Sequence, residues 1–153
     1  MLQELIDRLF GPAYETPLAE LDQRHALAGL MVRLAKADGE YAVAEIGLID
    51  RTLQATYELD PVGAAKLRAE AEKLAALAPP DGRFAEMVCA RCDPAQRVAV
   101  LTALWRVMLA DGHVGPGESG YLTATADRLG LSADERAMAE REARAHPEPG
   151  AAL

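Results

Sequence analysis

The stretch Ala37-Asp38-Gly39-Glu40-Tyr41-Ala42-Val43-Ala44-Glu45 returns seventy-three residues later as Ala110-Asp111-Gly112-His113-Val114-Gly115-Pro116-Gly117-Glu118. Both copies read A-D-G-x-apolar-x-x-x-E, and each closes one apolar-periodic run and opens another. That placement constrains the fold more than any other feature, because it demands helix, tight corner and helix, twice over. The offset carries Leu34 onto Val107, Ala37 onto Ala110 and Ile49 onto Leu122. Apolar positions fall on apolar positions, so two pseudo-repeated helix–corner–helix units are expected, although two copies do not make a solenoid.

The flanking sequence fills in the helices. Leu2, Leu5, Ile6 and Leu9 have helical spacing up to the stop at Gly11-Pro12, which predicts a short amphipathic helix. Thr16-Pro17 offers an N-cap and a first-turn proline for a helix running to about Ala37 with the stripe Leu27, Leu30, Met31 and Leu34. Beyond the first corner, Ile46, Ile49, Leu53 and Tyr57 mark the next face. Asp60-Pro61 starts a third long helix to about Leu77, ended by Pro79-Pro80-Asp81-Gly82. A short helix over 83–91 precedes Asp93-Pro94-Ala95-Gln96, a capping box. The helix from Pro94 to Ala110 carries the strongest stripe, Val98, Leu101, Leu104, Trp105 and Met108, and is expected at the centre of the core. Tyr121, Leu122, Thr125 and Leu129 follow the second corner; Gly130-Leu131 reads as a helix stop and Ser132-Ala133-Asp134-Glu135 as another capping box. No β-type alternation occurs. The expectation is all-α: a single-domain bundle of seven to eight helices, with residues 1–16 an N-terminal amphipathic helix and linker, 17–145 the helical domain, and 146–153 a flexible tail.

Within the corners, Glu45 and Glu118 count to the third helical position, where a carboxylate meets the positive end of the helix dipole and contributes about 0.3–1 kcal/mol. Asp38 and Asp111 are different, because each sits at the negative end of the preceding helix. Two arrangements offset that. Either the side chain folds over the next backbone N–H groups as an Asx-turn, or a cation is held by Asp38, Glu45, Asp111 and Glu118 together with corner carbonyls. Calcium and magnesium favour such hard oxygen donors. The spacing is not that of an EF-hand loop.

A net charge of −8 over 153 residues argues against a nucleic-acid partner, since phosphate recognition runs on clustered Lys and Arg. Cations or basic partners suit it better. No apolar run approaches a membrane span, and the acidic start lacks the basic region of a signal peptide, so a cytoplasmic location is expected, with a peripheral membrane contact open to the N-terminal helix. Cys89-Ala90-Arg91-Cys92 is a CxxC, read either as two reduced, half-buried thiols or as a small redox or metal site; the strands of a thioredoxin-like setting and further zinc ligands are both missing. Asp22-Gln23-Arg24-His25 is half of an acid-x-x-His di-iron pattern and is expected to be a satisfied helix face. His113 is expected on the surface. Nothing assembles a catalytic triad or a phosphate loop, and no small-molecule substrate is evident.

Taken together, Leu34-Ala35-Lys36-Ala37-Asp38-Gly39-Glu40-Tyr41 with Glu45, and Met108-Leu109-Ala110-Asp111-Gly112-His113-Val114 with Glu118, resemble the paired corners of the tellurite-resistance TerB-like domain family. The resemblance covers about Leu18 to Ala145, and the first copy departs from it at Tyr41 and Ala44. It implies an all-helical fold related to the N-terminal module of some membrane-anchored J-domain co-chaperones. It also implies a non-enzymatic role in the tellurite and metal-ion stress response, through association with membrane and other protein partners, with acidic residues that take a divalent cation. Set against it are a purely scaffolding protein whose corners are only capped turns, and a CxxC redox protein.

Overall fold

A computed structural model describes residues 19–77, 82–110, 112 and 114–149. Among them are seven α-helices and no strand: α1 (Ala19–Lys36), α2 (Val43–Tyr57), α3 (Pro61–Leu77), α4 (Arg83–Arg91), α5 (Pro94–Leu109), α6 (Pro116–Arg128) and α7 (Ala133–Ala145). The amphipathic stretch Met1–Phe10, the Thr16-Pro17 start, the Pro79–Asp81 stop, Asp111, His113 and the last residues of the tail lie outside the described residues. None of the described helices is long and apolar enough to cross a membrane.

Helix starts follow the local chemistry that the sequence announces. Asp60 accepts the Gly63 N–H at 2.6 Å, satisfying one of the donors that a helix leaves unpaired at its N-terminus. Asp93 and Gln96 bond reciprocally at 2.8 Å, as do Ser132 and Glu135 at 2.9 and 3.1 Å. Helix α6 ends with the Leu131 N–H bonded to the Ala126 carbonyl and the Gly130 N–H to that of Asp127, the paired C-terminal bonds foreseen at Gly130-Leu131. Arginines complete other ends: Arg97 donates to the carbonyls of Cys89 and Cys92 at the end of α4, and Arg33 to that of Ala75 near the end of α3.

The centre of the core differs from the sequence reading. Helix α1 packs against α2, α3, α4, α5 and α6. Ala26, Ala28, Met31, Val32 and Leu34 are fully buried and Leu30 nearly so, on all sides of the helix rather than along one stripe. Alternation of alanine with larger residues makes this possible, since the small positions let neighbouring helices approach closely. Helix α5 forms a second inner element through Leu101, Leu104, Val107 and Met108, while Val98 and Trp105 stay partly exposed. On α2 the buried face is Glu45, Leu48, Ile49, Thr52 and Leu53, with Ile46 and Tyr57 at its margin. Helix α7 buries only Ala139 and Ala143 and is otherwise a surface helix.

Short α4 is anchored by Phe84, whose ring lies against the backbone of α1 at Gly29. A methyl group at Gly29 would come within 3.0 Å of the ring, and the Arg33 guanidinium stacks on the ring at 4.7 Å. Two contacts tie the first residues after α7 to the helical body. Arg106 donates to the His146 carbonyl at 2.7 Å and Arg51 forms a two-pronged bridge to Glu148. Replacing Phe84 by alanine empties the contact between α4 and α1. Chemical denaturation is expected to show a loss of about 3–5 kcal/mol, far more than the same change at an exposed position such as Val62.

Candidate functional site

Both corners are built alike. At the first, the Ala37 N–H bonds back to Leu34 and the Gly39 N–H to Lys36; at the second, Ala110 bonds to Val107 and Gly112 to Leu109. Gly39 and Gly112 stand at φ +82° and +75°, a left-handed conformation that glycine adopts without the steric penalty of a side chain. The chain then extends and enters the next helix. Glu45 and Glu118 occupy the third position of α2 and α6. Their Oε1 atoms accept from the N-cap N–H groups of Ala42, at 3.0 Å, and of Gly115, at 3.4 Å.

Burial sets these carboxylates apart from ordinary cap residues. Glu45 is 1% and Glu118 4% exposed, a costly position for a charge unless something compensates it. The corners differ at the apolar position. Tyr41 packs on the core and donates its hydroxyl to Glu72 at 2.7 Å, and Arg68 ties Glu72 to Asp50. Val114, its counterpart, is 42% exposed.

Asp38 explains how the two corners are joined. Its Oδ1 accepts the Gly117 N–H at 2.8 Å, across seventy-nine residues. The carboxylate that is disfavoured at the end of α1 therefore lies on the positive end of α6, where the dipole favours it and an orphan donor needs it. This contact differs from a local Asx-turn and was not foreseen. It depends on missing side chains: a Cβ at Gly115 or Gly117 would overlap the Asp38 carboxylate. A signal was present in the sequence, because a helix start written Gly-Pro-Gly has no side chain of its own to serve as a cap.

Asp38, Glu45 and Glu118 thus converge between the N-termini of α2 and α6, with Glu118 within hydrogen-bonding reach of the other two carboxylates. Glu118 Oε2 is buried and has no hydrogen-bond partner. Burial, the facing Glu45 and then Asp38 push the Glu118 carboxyl up from 4.5 to about 8, against the lowering effect of the Gly115 N–H. Acceptor facing acceptor calls for a positive charge, and a proton or a cation supplies it. Among the described residues no three acidic, His or Cys side chains form a ready ligand array. Asp111, the fourth residue of the sequence reading, lies outside the described residues.

The other candidate residues lie elsewhere. Cys89 is in the last turn of α4 and Cys92 is its C-cap, the first half-buried, the second buried, and neither is in a disulfide. A thiolate is stabilised at a helix N-terminus, whereas Cys89 lies in the last turn of α4, and at the start of α5, just after Cys92, the Asp93 carboxylate already caps a backbone donor. His25 is 8% exposed and bonded to Glu70 at 2.9 Å, which satisfies it within the helix packing.

Fold and site define a class: an all-helical domain whose two acidic corners meet in a buried carboxylate cluster. The family model described as "Tellurite resistance protein TerB" matches residues 24–141, more than half of the chain, and the chain belongs to the TerB family. Comparison with curated proteins and with solved structures returned no match.

Gly115 has an ordinary backbone φ of −88°, so Gly115→Ala tests the Asp38 contact without backbone strain. A loss of about 1–3 kcal/mol is expected from overpacking and the displaced cap. Adding Asp38→Ala should cost little more, a non-additivity that a double-mutant cycle in denaturant measures. The Glu118 shift also fixes a pH dependence. Folded Glu118 holds a proton that the unfolded chain releases above about 4.5, so its contribution falls as pH rises from about 4.5 to about 8 and then levels off. Subtracting the thermal midpoints of Glu118→Gln from those of the parent across that range should reveal this slope.

Proposed function

We propose that this chain is a non-catalytic TerB module whose paired corners respond to a divalent cation, calcium or magnesium, and present the result to protein partners in the response to tellurite and metal-ion stress. The observation that carries the reading is the buried, unpartnered Glu118 Oε2 set against Glu45. A buried carboxylate oxygen such as Glu118 Oε2, without a hydrogen-bond partner, suits a hard cation. Glu45 and Glu118 would hold it, with Asp38 beside them and Asp111, corner carbonyls and water as the sources of further oxygens. A bound ion supplies only charge compensation. The protein's own part is to bring two carboxylates from different hairpins to one place, so that filling the site favours the closed arrangement of the corners. Membership of the TerB family supports the stress-response setting.

Titration of calcium, magnesium, manganese and zinc into metal-free protein near pH 8 tests the reading. The thermal midpoint and the fluorescence of half-buried Trp105, at the centre of the chain's strongest sequence stripe, are the readouts. Binding to the folded state alone raises stability by RT ln(1 + [L]/Kd), about 2.7 kcal/mol at a hundredfold excess over Kd. Glu118→Gln should abolish the ion-induced shift while keeping or raising the midpoint in chelator, because the amide relieves the facing carboxylates. If no ion moves the midpoint of the parent protein, the cluster is a proton-sharing clasp and the scaffolding alternative stands.

A further inference from the structure

The chain that leaves α7 crosses the seam between α2 and α5. His146 precedes Pro147, and a residue before proline is pushed out of the helical region; it stands at φ −133° and ψ 80°, which ends the helix. Pro147 and Pro149 have no N–H to give, so the segment His146–Pro149 cannot form the backbone bonds of a further turn. Among the described residues, two fastenings from other helices hold it. Arg106 of α5, with a side chain only 10% exposed, donates to the His146 carbonyl at 2.7 Å. Arg51 of α2 holds Glu148 through Nε at 2.9 Å and through a second nitrogen at 3.1 Å, in a bridge whose partners are 49% and 66% exposed.

On each side of this segment the seam is hollow. A cavity of about 670 Å³ has Thr52, Tyr57, Ala99 and Ala103 in its lining, along with Met138 of α7. Another, of about 410 Å³, lies toward the start of α2, against Val43, Leu48, Leu109 and Ala110. Arg106 and Glu148 line both, so the wall between the cavities is the segment with its fastenings. Met138 and Val43 are exposed, which gives each cavity a large apolar side chain open to water. The surroundings set the two fastenings apart. An exposed ion pair is screened by salt and contributes little, whereas the hydrogen bond from the nearly buried Arg106 is sheltered. The Glu148 end therefore lets go first, and His146 is the hinge.

We propose that His146–Pro149 is a strap that keeps the α2–α5 seam divided, and that release of Glu148 from Arg51 swings it about His146 and joins the two cavities into one apolar trough. The device answers to ionic strength, because the contact that releases is the exposed bridge. A neutral, polarity-sensitive dye such as Nile red reads the opening. At low salt, Glu148→Gln and Arg51→Gln should each bind the dye about two- to fivefold more tightly than the parent, the ratio that an exposed bridge supports, with the thermal transition kept in place. Rebuilding the bridge in reverse, with Arg51→Glu and Glu148→Arg together, should return the parent's affinity. High salt should bring the parent and the single variants to the same affinity. Ala99 is exposed in the larger cavity, so Ala99→Trp fills that cavity without disturbing the core and should cancel the gain in either single variant. The strap is overturned if the single variants bind as the parent does at low salt, if the reversed pair binds like the single variants, if salt leaves the difference in place, or if the gain survives Ala99→Trp.

Discussion

Burial of α1 on nearly all sides governs the arrangement of everything else. A helix flanked by five others admits a polar group only where a partner meets it: His25, near its start, with Glu70, and Arg33 with the Ala75 carbonyl and the Phe84 ring. Its first freedom comes after Lys36, where the chain emerges at a corner and Asp38 must find an electrostatic home. The packing that centres α1 also brings α6 alongside it, and the N-terminus of α6 supplies that home through Gly117. One hydrogen bond thereby links the end of the first inner helix to the start of the second hairpin's outer helix.

The same packing creates the unresolved charge. Each Glu, taken alone, is a sound cap residue on its own helix. Brought together and removed from water, Glu45 and Glu118 become two acceptors in contact, and at least one must hold a proton or share a cation. A hairpin pair joined in this way has a contact that depends on whether Glu118 holds its proton. That dependence distinguishes this cluster from Asp60, Asp93 and Ser132, whose caps are exposed and local.

Much of the architecture was legible because helix boundaries are local chemistry. Asp60-Pro61, Asp93-Pro94, Ser132 and Gly130-Leu131 each act within four or five residues, and the structure places helix ends at each of them. Stripe positions were less secure: Ile46 and Tyr57 lie at the edge of α2's buried face, and Trp105 lies partly outside that of α5. Apolar spacing gives the direction of a face to within a residue or so, while neighbouring helices decide its width. Choosing α5 over α1 as the centre failed for a related reason. An all-round buried helix rich in alanine has no single stripe, so its amphipathic signal is weak where its burial is greatest.

The sequence alone determined that the chain is helical, where its helices start and stop, and that the A-D-G-x-x-x-x-x-E corners set Glu45 and Glu118 at the third position of their helices. These follow from backbone sterics, capping and period, all of which act over a turn or two. Only the tertiary structure decided that Asp38 serves the other hairpin, that Gly115 and Gly117 are required to be bare, and that the two glutamates meet out of water. Contacts across some seventy residues depend on how helices pack around α1, and local sequence carries no term for that distance. The described parts of the two corners, written far apart in the sequence, therefore meet through Asp38, Glu45 and Glu118.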